Sequence, residues 1–151
     1  MQKSDWGNAI WFLLHTLAHK LLPNHSREAP NVLGLMVQIA THLPCEECSN
    51  HSREMLAELT RHPVRNREHL IAFWLTAHNL VNKRLGKPEF TMKECLEKYE
   101  QADTLRVVQH YRQVMGTVRT GERGVADGWR RQRVMTMFDG YLASHAYMYS
   151  H

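Results

Sequence analysis

Cysteine is scarce in this sequence, and long apolar runs are absent. Cys45, Cys48 and Cys95 are the three cysteines among 151 residues, too few for the disulfide scaffold of a small secreted domain. No apolar run reaches the roughly 18 residues that favour a membrane-spanning helix, so we expect no membrane association. The first residues lack the apolar core and cleavage site of a signal peptide, so no entry into the secretory route is expected.

Strand-like alternation, internal repeats and low-complexity tracts are also missing. The hydrophobic fraction of 43% and the charged fraction of 23% are ordinary for a globular protein, and the length predicts one domain with a core. The net charge of +4 leaves open a basic helical module that binds nucleic acid. We favour a solubility margin as the reason for this charge, and nucleic acid is not expected as a partner.

Helical spacing of apolar residues dominates the chain, with prolines and glycines between the segments. The fourth helical segment is apolar on almost every side and is predicted to be the most buried helix. Four glycines between positions 116 and 128 predict a loop or hinge. The predicted helices cover residues from about 5 to 22, 30 to 43, 45 to 61, 67 to 83 and 92 to 115, with a last helix between 129 and 151.

Two helix ends carry recognisable capping residues. Gly86 is placed as the C-cap of the fourth helix, and Pro88 stops it. Thr91 and Glu94 have the spacing of a capping box, which opens the fifth helix. Together these features predict an all-α fold of four core helices with additional helical segments.

The most informative motif is Pro44-Cys45-Glu46-Glu47-Cys48, at the predicted start of the third helix. Backbone N–H groups at a helix start favour an anion, which lowers the pKa of a thiol there. A C-x-x-C pair in this position is typical of a redox dithiol or of half a metal site. The metal alternative is a helical zinc-binding adaptor that uses Cys45, Cys48 and His51, with His42 close by. It lacks a second cysteine pair, so the redox interpretation is preferred.

Two further clusters place polar side chains on apolar helices. His78 and Asn82 lie four residues apart, with Asn79 beside them, so they call for a polar ligand or a buried network. Positive charge for a phosphate follows at Lys83, Arg84 and Lys87. On the first helix, Trp6-Gly7 precedes Trp11 and His15, which share one face.

Taken in order, these motifs resemble the Erv/ALR family of FAD-dependent sulfhydryl oxidases, and most closely its compact viral members. The resemblance covers residues from about 5 to 100. The matching segments are Trp6-Gly7 with Trp11-x-x-Leu14-His15, then Pro44-Cys45-Glu46-Glu47-Cys48, then His78-Asn79-x-Val81-Asn82-x-x-Leu85-Gly86-Lys87-Pro88-x-Phe90.

The resemblance implies a four-helix bundle with a short fifth helix and an additional C-terminal helical segment, usually a homodimer, with FAD as its cofactor. It implies that residues 1–102 form the FAD-binding domain and that residues 103–151 are a helical extension packed on it. No metal site is implied. The cofactor-binding residues that it implies are Trp6, Gly7, Trp11, His15, Cys48, His78, Asn79, Asn82, Leu85, Lys87, Lys98 and Tyr99.

The activity that the resemblance implies is a thiol oxidase with Cys45 and Cys48 as catalytic residues. Cys45 would face a thiol-containing protein substrate, and Cys48 would lie next to the flavin ring. Electrons would pass from the cysteine pair to FAD and then to molecular oxygen, with release of hydrogen peroxide. Without a signal peptide, such an oxidase fits the cytoplasm of an infected cell, a virion or the mitochondrial intermembrane space.

The sequence departs from this family at its third cysteine and at its C-terminus. Many relatives carry a second, structural disulfide and a distal shuttle pair, and this chain has neither. Cys95 is out of line with the usual structural cysteine and is interpreted as a small buried side chain, with thiol transfer to an adjacent subunit as the alternative. The basic run at Arg130, Arg131 and Arg133 is interpreted as a solvated face.

Overall fold

The computed structural model describes residues 3–117 and 125–151. The regular secondary structure of these residues consists of helices, with no β-strand among them. The all-α prediction is therefore confirmed. None of the described helices is both long and apolar enough to cross a membrane. The α-helices are α1 (Lys3–Lys20), α2 (Ala29–Thr41), α3 (Glu46–Leu59), α4 (Arg67–Arg84), α5 (Met92–Glu100), α6 (Thr104–Gly116) and α7 (Val125–His145); two 3-10 helices span Pro23–Glu28 and Ala146–Met148.

Side-chain caps set where the helices begin. The Asn66 side chain accepts a hydrogen bond from the backbone of His69 at the start of α4. The predicted capping box at the start of α5 is present, with Thr91 and Glu94 bonding each other's backbone N–H groups. Gly86 follows α4 with a φ of 70°, the left-handed conformation that a glycine adopts at a helix C-terminus without steric cost.

The prediction of a single fifth helix from 92 to 115 is wrong. The chain forms α5 and α6 instead, and the break falls at residues 101–103. Asp103 accepts a hydrogen bond from the backbone N–H of Arg106 at 3.1 Å, which makes it the N-cap of a new helix. The helical spacing of apolar residues continues across this position, so it predicts one uninterrupted helix. An Asp starts a new helix only when its side chain accepts a hydrogen bond from the backbone, and the spacing does not show whether it does.

The loop predicted for residues 116–128 is wrong at both ends of its range. Gly116 is still part of α6, and α7 already begins at Val125, ahead of Gly128. Residues 118–124 lie outside the described part of the chain. A glycine costs about 1 kcal/mol in a helix, which the packing of a long helix such as α7 offsets.

The most buried helix is α1, not α4 as predicted. Ten residues of α1 are buried against six of α4, and Leu80 of α4 is 44% exposed. The reason is position: α1 packs extensively against α4, α5 and α6, whereas α4 packs extensively against α1 alone and touches α2, α3 and α5 at fewer points. An apolar face predicts burial only where another element covers it.

The two C-terminal helices join the same core as the first four. Val108 and Tyr111 of α6 and Phe138 of α7 belong to the same apolar cluster as the buried residues of α1, α2 and α4. The ring of Tyr111 meets the ring of Phe138 edge-on, with centroids 5.7 Å apart. The chain end is fixed by a bridge between Leu21 and Tyr149.

Candidate functional site

A cavity of about 400 Å³ opens between α1, the end of α2, α3 and α4. Its walls combine apolar and aromatic side chains with a few polar and cationic ones. The predicted site residues that line it are Trp6, Gly7, Trp11, Cys48, His78, Asn82, Leu85 and Lys87. The remaining predicted cofactor residues, His15, Asn79, Lys98 and Tyr99, do not line it.

The aromatic wall of the cavity joins α1 to α4. The indole of Trp11 lies parallel to the imidazole of His78, with ring centroids 4.2 Å apart and planes 4° apart. Trp74 meets Trp11 edge-on at 6.5 Å and also lines the cavity. The cavity wall therefore combines two indoles and an imidazole, aromatic groups of the kind against which a planar ring system packs.

Cys45 and Cys48 are joined as a disulfide, with Cα atoms 5.1 Å apart. Cys45 is the N-cap of α3, and its sulfur accepts a hydrogen bond from the backbone N–H of Cys48 at 3.2 Å. The two sulfurs differ in surroundings: Cys48 is buried and lines the cavity, whereas Cys45 is half-buried and is not part of the cavity wall. One end of the disulfide is therefore reachable from outside and the other from the cavity.

Leu43, two residues before Cys45, is fixed by hydrogen bonds to side chains of two different helices. The backbone N–H of Leu43 donates to the Ser49 hydroxyl at 2.9 Å, and that hydroxyl donates back to the Leu43 carbonyl at 3.3 Å. The same carbonyl accepts a hydrogen bond from Arg131 of α7 at 3.4 Å. Arg131 is buried, so interpreting it as part of a solvated face is wrong.

His78 and His15 form a polar pair inside the apolar packing. His15 Nε2 and His78 Nδ1 are hydrogen-bonded at 2.8 Å. Burial, followed by the neighbouring His78, lowers the pKa of His15 to about 2. Burial, followed by Lys98 and Lys87, lowers the pKa of His78 to about 4. Both imidazoles are therefore neutral at pH 7, and His15 supports His78 from behind the cavity wall.

The two asparagines of α4 have different partners. Asn79 donates to the carbonyl of Phe90 and accepts from its N–H, both at 2.8 Å, so its amide fixes the turn after α4. Asn82 is buried and lines the cavity, and among the described residues no group hydrogen-bonds its side-chain amide. Of the two, only Asn82 is left to bind a ligand in the cavity.

Lys98 and Tyr99 lie behind the aromatic wall. The ring of Tyr99 stacks on His15, with centroids 4.5 Å apart and planes 13° apart. The Lys98 ammonium group lies 5.4 Å from the Phe12 ring and 5.5 Å from the Phe90 ring. The cations at the cavity itself are Lys3, Arg84 and Lys87.

The zinc alternative finds no support at the C-x-x-C motif. The two sulfurs are bonded to each other, and His42 is hydrogen-bonded to the carbonyl of Gln38 at 2.7 Å. Across the described ranges, the side chains grouped closely enough to hold a metal ion are His15, His19 and Cys95. Sequence reasoning missed His19, although its spacing of four residues from His15 on α1 was visible.

Trp74 and Arg131 were also missed as site residues. Trp74 was assigned to the core of α4, since an indole in an apolar helix gives no sign that one edge faces a cavity. Arg131 is 83 residues away from Cys48 in sequence, and no local pattern links the two. The signal available for Arg131 was its position on the apolar side of a helix, near Val134 and Phe138.

The Erv1/Alr family model matches residues 8–101 of this chain. A protein of Invertebrate iridescent virus 3, named as a candidate FAD-linked sulfhydryl oxidase, is 37% identical over 97 residues, which are 62% of this chain and 65% of that protein. The FAD-linked sulfhydryl oxidase ERV1 of Oryza sativa is 32% identical over 106 residues, 68% of this chain and 53% of its own length. A FAD-linked sulfhydryl oxidase of African swine fever virus is 32% identical over 101 residues, 64% of this chain and 82% of that protein.

The chain spans about half to two thirds of the length of the first two of these relatives. No solved structure matches the chain. The family match includes the C-x-x-C motif, the aromatic wall and α4, and it ends before α6 and α7.

Proposed function

This chain belongs to the Erv1/Alr family, and we propose that it is a FAD-linked thiol oxidase that forms disulfide bonds in thiol-containing proteins. The observation that carries the proposal is that the two sulfurs of one disulfide have different surroundings. Cys48 lies in the wall of an aromatic cavity, while Cys45 lies outside that wall and is half-buried. A redox pair arranged in this way can take electrons at one sulfur and pass them on at the other.

The residues at the cavity fit FAD. A Cβ built on Gly7 would meet no atom within 4 Å, so this glycine leaves open volume at the wall. Asn82 offers an amide without a protein partner among the described residues, and the stacked Trp11 and His78 offer aromatic contact for a ring system. Lys87 supplies positive charge that a diphosphate requires.

The cysteines carry the thiol chemistry. A substrate thiolate attacks Cys45, the sulfur nearer to solvent, and forms a mixed disulfide while Cys48 leaves as a thiolate in the cavity wall. A second substrate thiol attacks the mixed disulfide, and Cys45 is released as a thiolate. The backbone N–H of Cys48 already points at the Cys45 sulfur, and the start of α3 favours negative charge there.

Each cycle oxidises two substrate thiols to one disulfide and leaves the Cys45–Cys48 pair reduced, with two electrons to pass on. When bound, FAD supplies the two-electron oxidant for this pair and the route by which oxygen becomes hydrogen peroxide. His78, kept neutral by its surroundings, adds no charge to the aromatic wall.

The remaining site assignments have different structural roles. His15 and Tyr99 support the aromatic wall from behind, and Asn79 holds the turn that carries Lys87. We propose residues 1–102 as the FAD-binding domain and residues 103–151 as an extension that packs on it and supplies Arg131. The family also favours a homodimer, which analytical ultracentrifugation would test.

The test is an absorbance spectrum of the purified full-length protein, followed by oxygen uptake with a dithiol. The expected result is a flavin spectrum, oxygen consumption that depends on the dithiol, and hydrogen peroxide in the same molar amount as the disulfide formed. A protein that stays colourless after reconstitution with FAD would contradict the proposal. So would a yellow protein that consumes no oxygen with any dithiol or reduced protein.

A further inference from the structure

His15, His19 and Cys95 bring three ligand groups together away from the redox disulfide. Cys95 Sγ lies 3.4 Å from His19 Nε2 and 3.8 Å from His15 Nδ1. One ligand atom from each of the three residues lies within 4.8 Å of the others, and all three residues are buried. Two helices supply them, α1 with the histidines four residues apart and α5 with the cysteine.

These separations match a shared metal ion. Ligands bonded at about 2.3 Å through sulfur and about 2.0 Å through nitrogen lie about 3.7 Å apart around an ion with three ligands in a plane. The two sulfur–nitrogen distances fall on either side of that value. Small side-chain rotations would therefore bring all three atoms to bonding distance.

His15 is oriented as a metal-ligating histidine usually is. Its Nε2 is hydrogen-bonded to His78 Nδ1, which leaves Nδ1 on the other edge of the ring facing Cys95. A hydrogen bond at the second ring nitrogen is the usual device that fixes the tautomer of a ligating histidine. The ring thus has one edge toward the cavity wall and the other toward the cluster.

His19 packs against the Tyr99 ring and has few polar contacts among the described residues. Its side chain is buried, its Nδ1 has no hydrogen-bond partner, and its one side-chain hydrogen-bond contact is the Cys95 sulfur. A buried imidazole with one unpartnered nitrogen costs free energy that an apolar residue would avoid. The thiol proton can reach only one of His15 Nδ1 and His19 Nε2, whereas an ion between the three atoms engages both nitrogens and the sulfur as ligands.

We propose that His15, His19 and Cys95 form a buried site for one monovalent copper ion. Copper(I) is soft, prefers thiolate and imidazole, and accepts three ligands. One copper(I) with one thiolate is neutral, which suits a buried site close to the Lys98 ammonium group; zinc would leave a net positive charge there. Binding replaces the Cys95 thiol proton by the ion, so one proton is released for each ion bound.

The site goes beyond the oxidase activity and does not depend on it. The ligand edge of His15 is opposite to the edge that supports His78, so copper and a cofactor in the cavity would use different atoms. The two can therefore be measured separately, as copper per chain and as FAD per chain.

The experiment titrates the full-length, FAD-loaded Cys45→Ser/Cys48→Ser protein with copper(I) under nitrogen, against a colorimetric copper(I) chelator. This background leaves Cys95 as the one thiol. One copper per chain is expected, with one sulfur and two nitrogen neighbours by X-ray absorption. Cys95→Ser and His19→Ala should each weaken binding by more than tenfold. His110→Ala, at an exposed position on α6, is the matched control and should bind as the parent does.

Circular dichroism and FAD content will show whether each variant folds, and Cys95→Ala is the second variant if Cys95→Ser does not. Copper binding that survives both Cys95 substitutions would overturn the proposal. So would the absence of bound copper after gel filtration, or one equivalent of zinc that displaces copper from the site. A colourless protein that still binds copper through Cys95 would contradict the oxidase proposal and leave the copper site supported.

Discussion

The indole of Trp11 and the imidazole of His78 are stacked 4.2 Å apart, and both residues line the cavity that Cys48 also lines. The pair links α1 to α4 without a charge, because burial keeps His78 neutral. The position of a sulfur beside such a wall is the structural basis of the proposed oxidase, and it leads to the first two predictions.

Replacing Trp11 by Ala should weaken FAD binding by roughly fivefold, since an aromatic stack contributes about 1 kcal/mol beyond the area it buries. Trp11→Phe should retain most of the affinity. The measurement is FAD bound per chain after dialysis. Trp129→Ala is the matched control, because Trp129 is 72% exposed and does not line the cavity. Equal loss of FAD in both alanine variants would count against the stacking role.

Cys48→Ser should abolish dithiol-dependent oxygen uptake while leaving FAD bound, because the sulfur in the cavity wall is lost and the fold is kept. Cys45→Ser should be equally inactive. The double variant should be no slower than either single one, since two residues that act as a unit are not additive. Oxygen uptake and flavin absorbance are measured on the same samples. Turnover retained in Cys48→Ser would refute the proposed electron path.

Asn79→Ala should lower the free energy of unfolding by about 2 kcal/mol, because it removes both hydrogen bonds to the Phe90 backbone. Urea denaturation followed by circular dichroism measures the change. Asn31→Ala is the control: this exposed asparagine makes one hydrogen bond to Glu28, and its loss should cost less than about 0.5 kcal/mol. Similar losses for the two variants would show that the turn is not held by Asn79.

Arg131→Met should speed amide hydrogen exchange in the segment from Leu43 to Ser49 by roughly fivefold, which corresponds to about 1 kcal/mol for one lost hydrogen bond to the Leu43 carbonyl. Exchange is read by mass spectrometry on peptides that cover this segment. Arg133→Met changes an exposed arginine of the same helix and should leave exchange unaltered. An unchanged rate in Arg131→Met would mean that Ser49 alone holds the segment.

Tyr111 should make the protein sensitive to high pH. Burial, followed by the carboxylate of Asp139, raises the pKa of Tyr111 above its ordinary value of 10.0. The unfolded chain therefore loses this proton first, so stability is present below pH about 10 and falls as the pH rises further. Tyr111→Phe should lose less stability than the parent between pH about 9 and 11 in urea denaturation.

The control for this prediction is Tyr147→Phe, because Tyr147 is 65% exposed. Its pH profile should follow that of the parent. If the Tyr111→Phe and Tyr147→Phe profiles coincide, the alkaline loss of stability has another source.

Local chemistry made much of the fold predictable. Asn66, Thr91 and Gly86 mark helix ends through their own side chains or backbone, so the ends of α4 and the start of α5 follow from short segments. The break at Asp103 was not predictable in the same way, because the same residue also fits a solvent-facing position in a longer helix. The burial of α1 rather than α4 depends on which elements surround each helix.

The sequence by itself determined an all-α chain with a C-x-x-C pair at a helix start, because helical spacing, caps and the cysteine motif are local features. Tertiary structure alone decided that Cys48 rather than Cys45 lines the cavity, that Asn79 holds a turn while Asn82 faces the cavity, and that Arg131 reaches Leu43. It also brought Cys95 to His15 and His19 across about 80 residues. Such contacts depend on how the helices pack against one another, and the spacing of residues along the chain does not specify which side chains from distant helices meet.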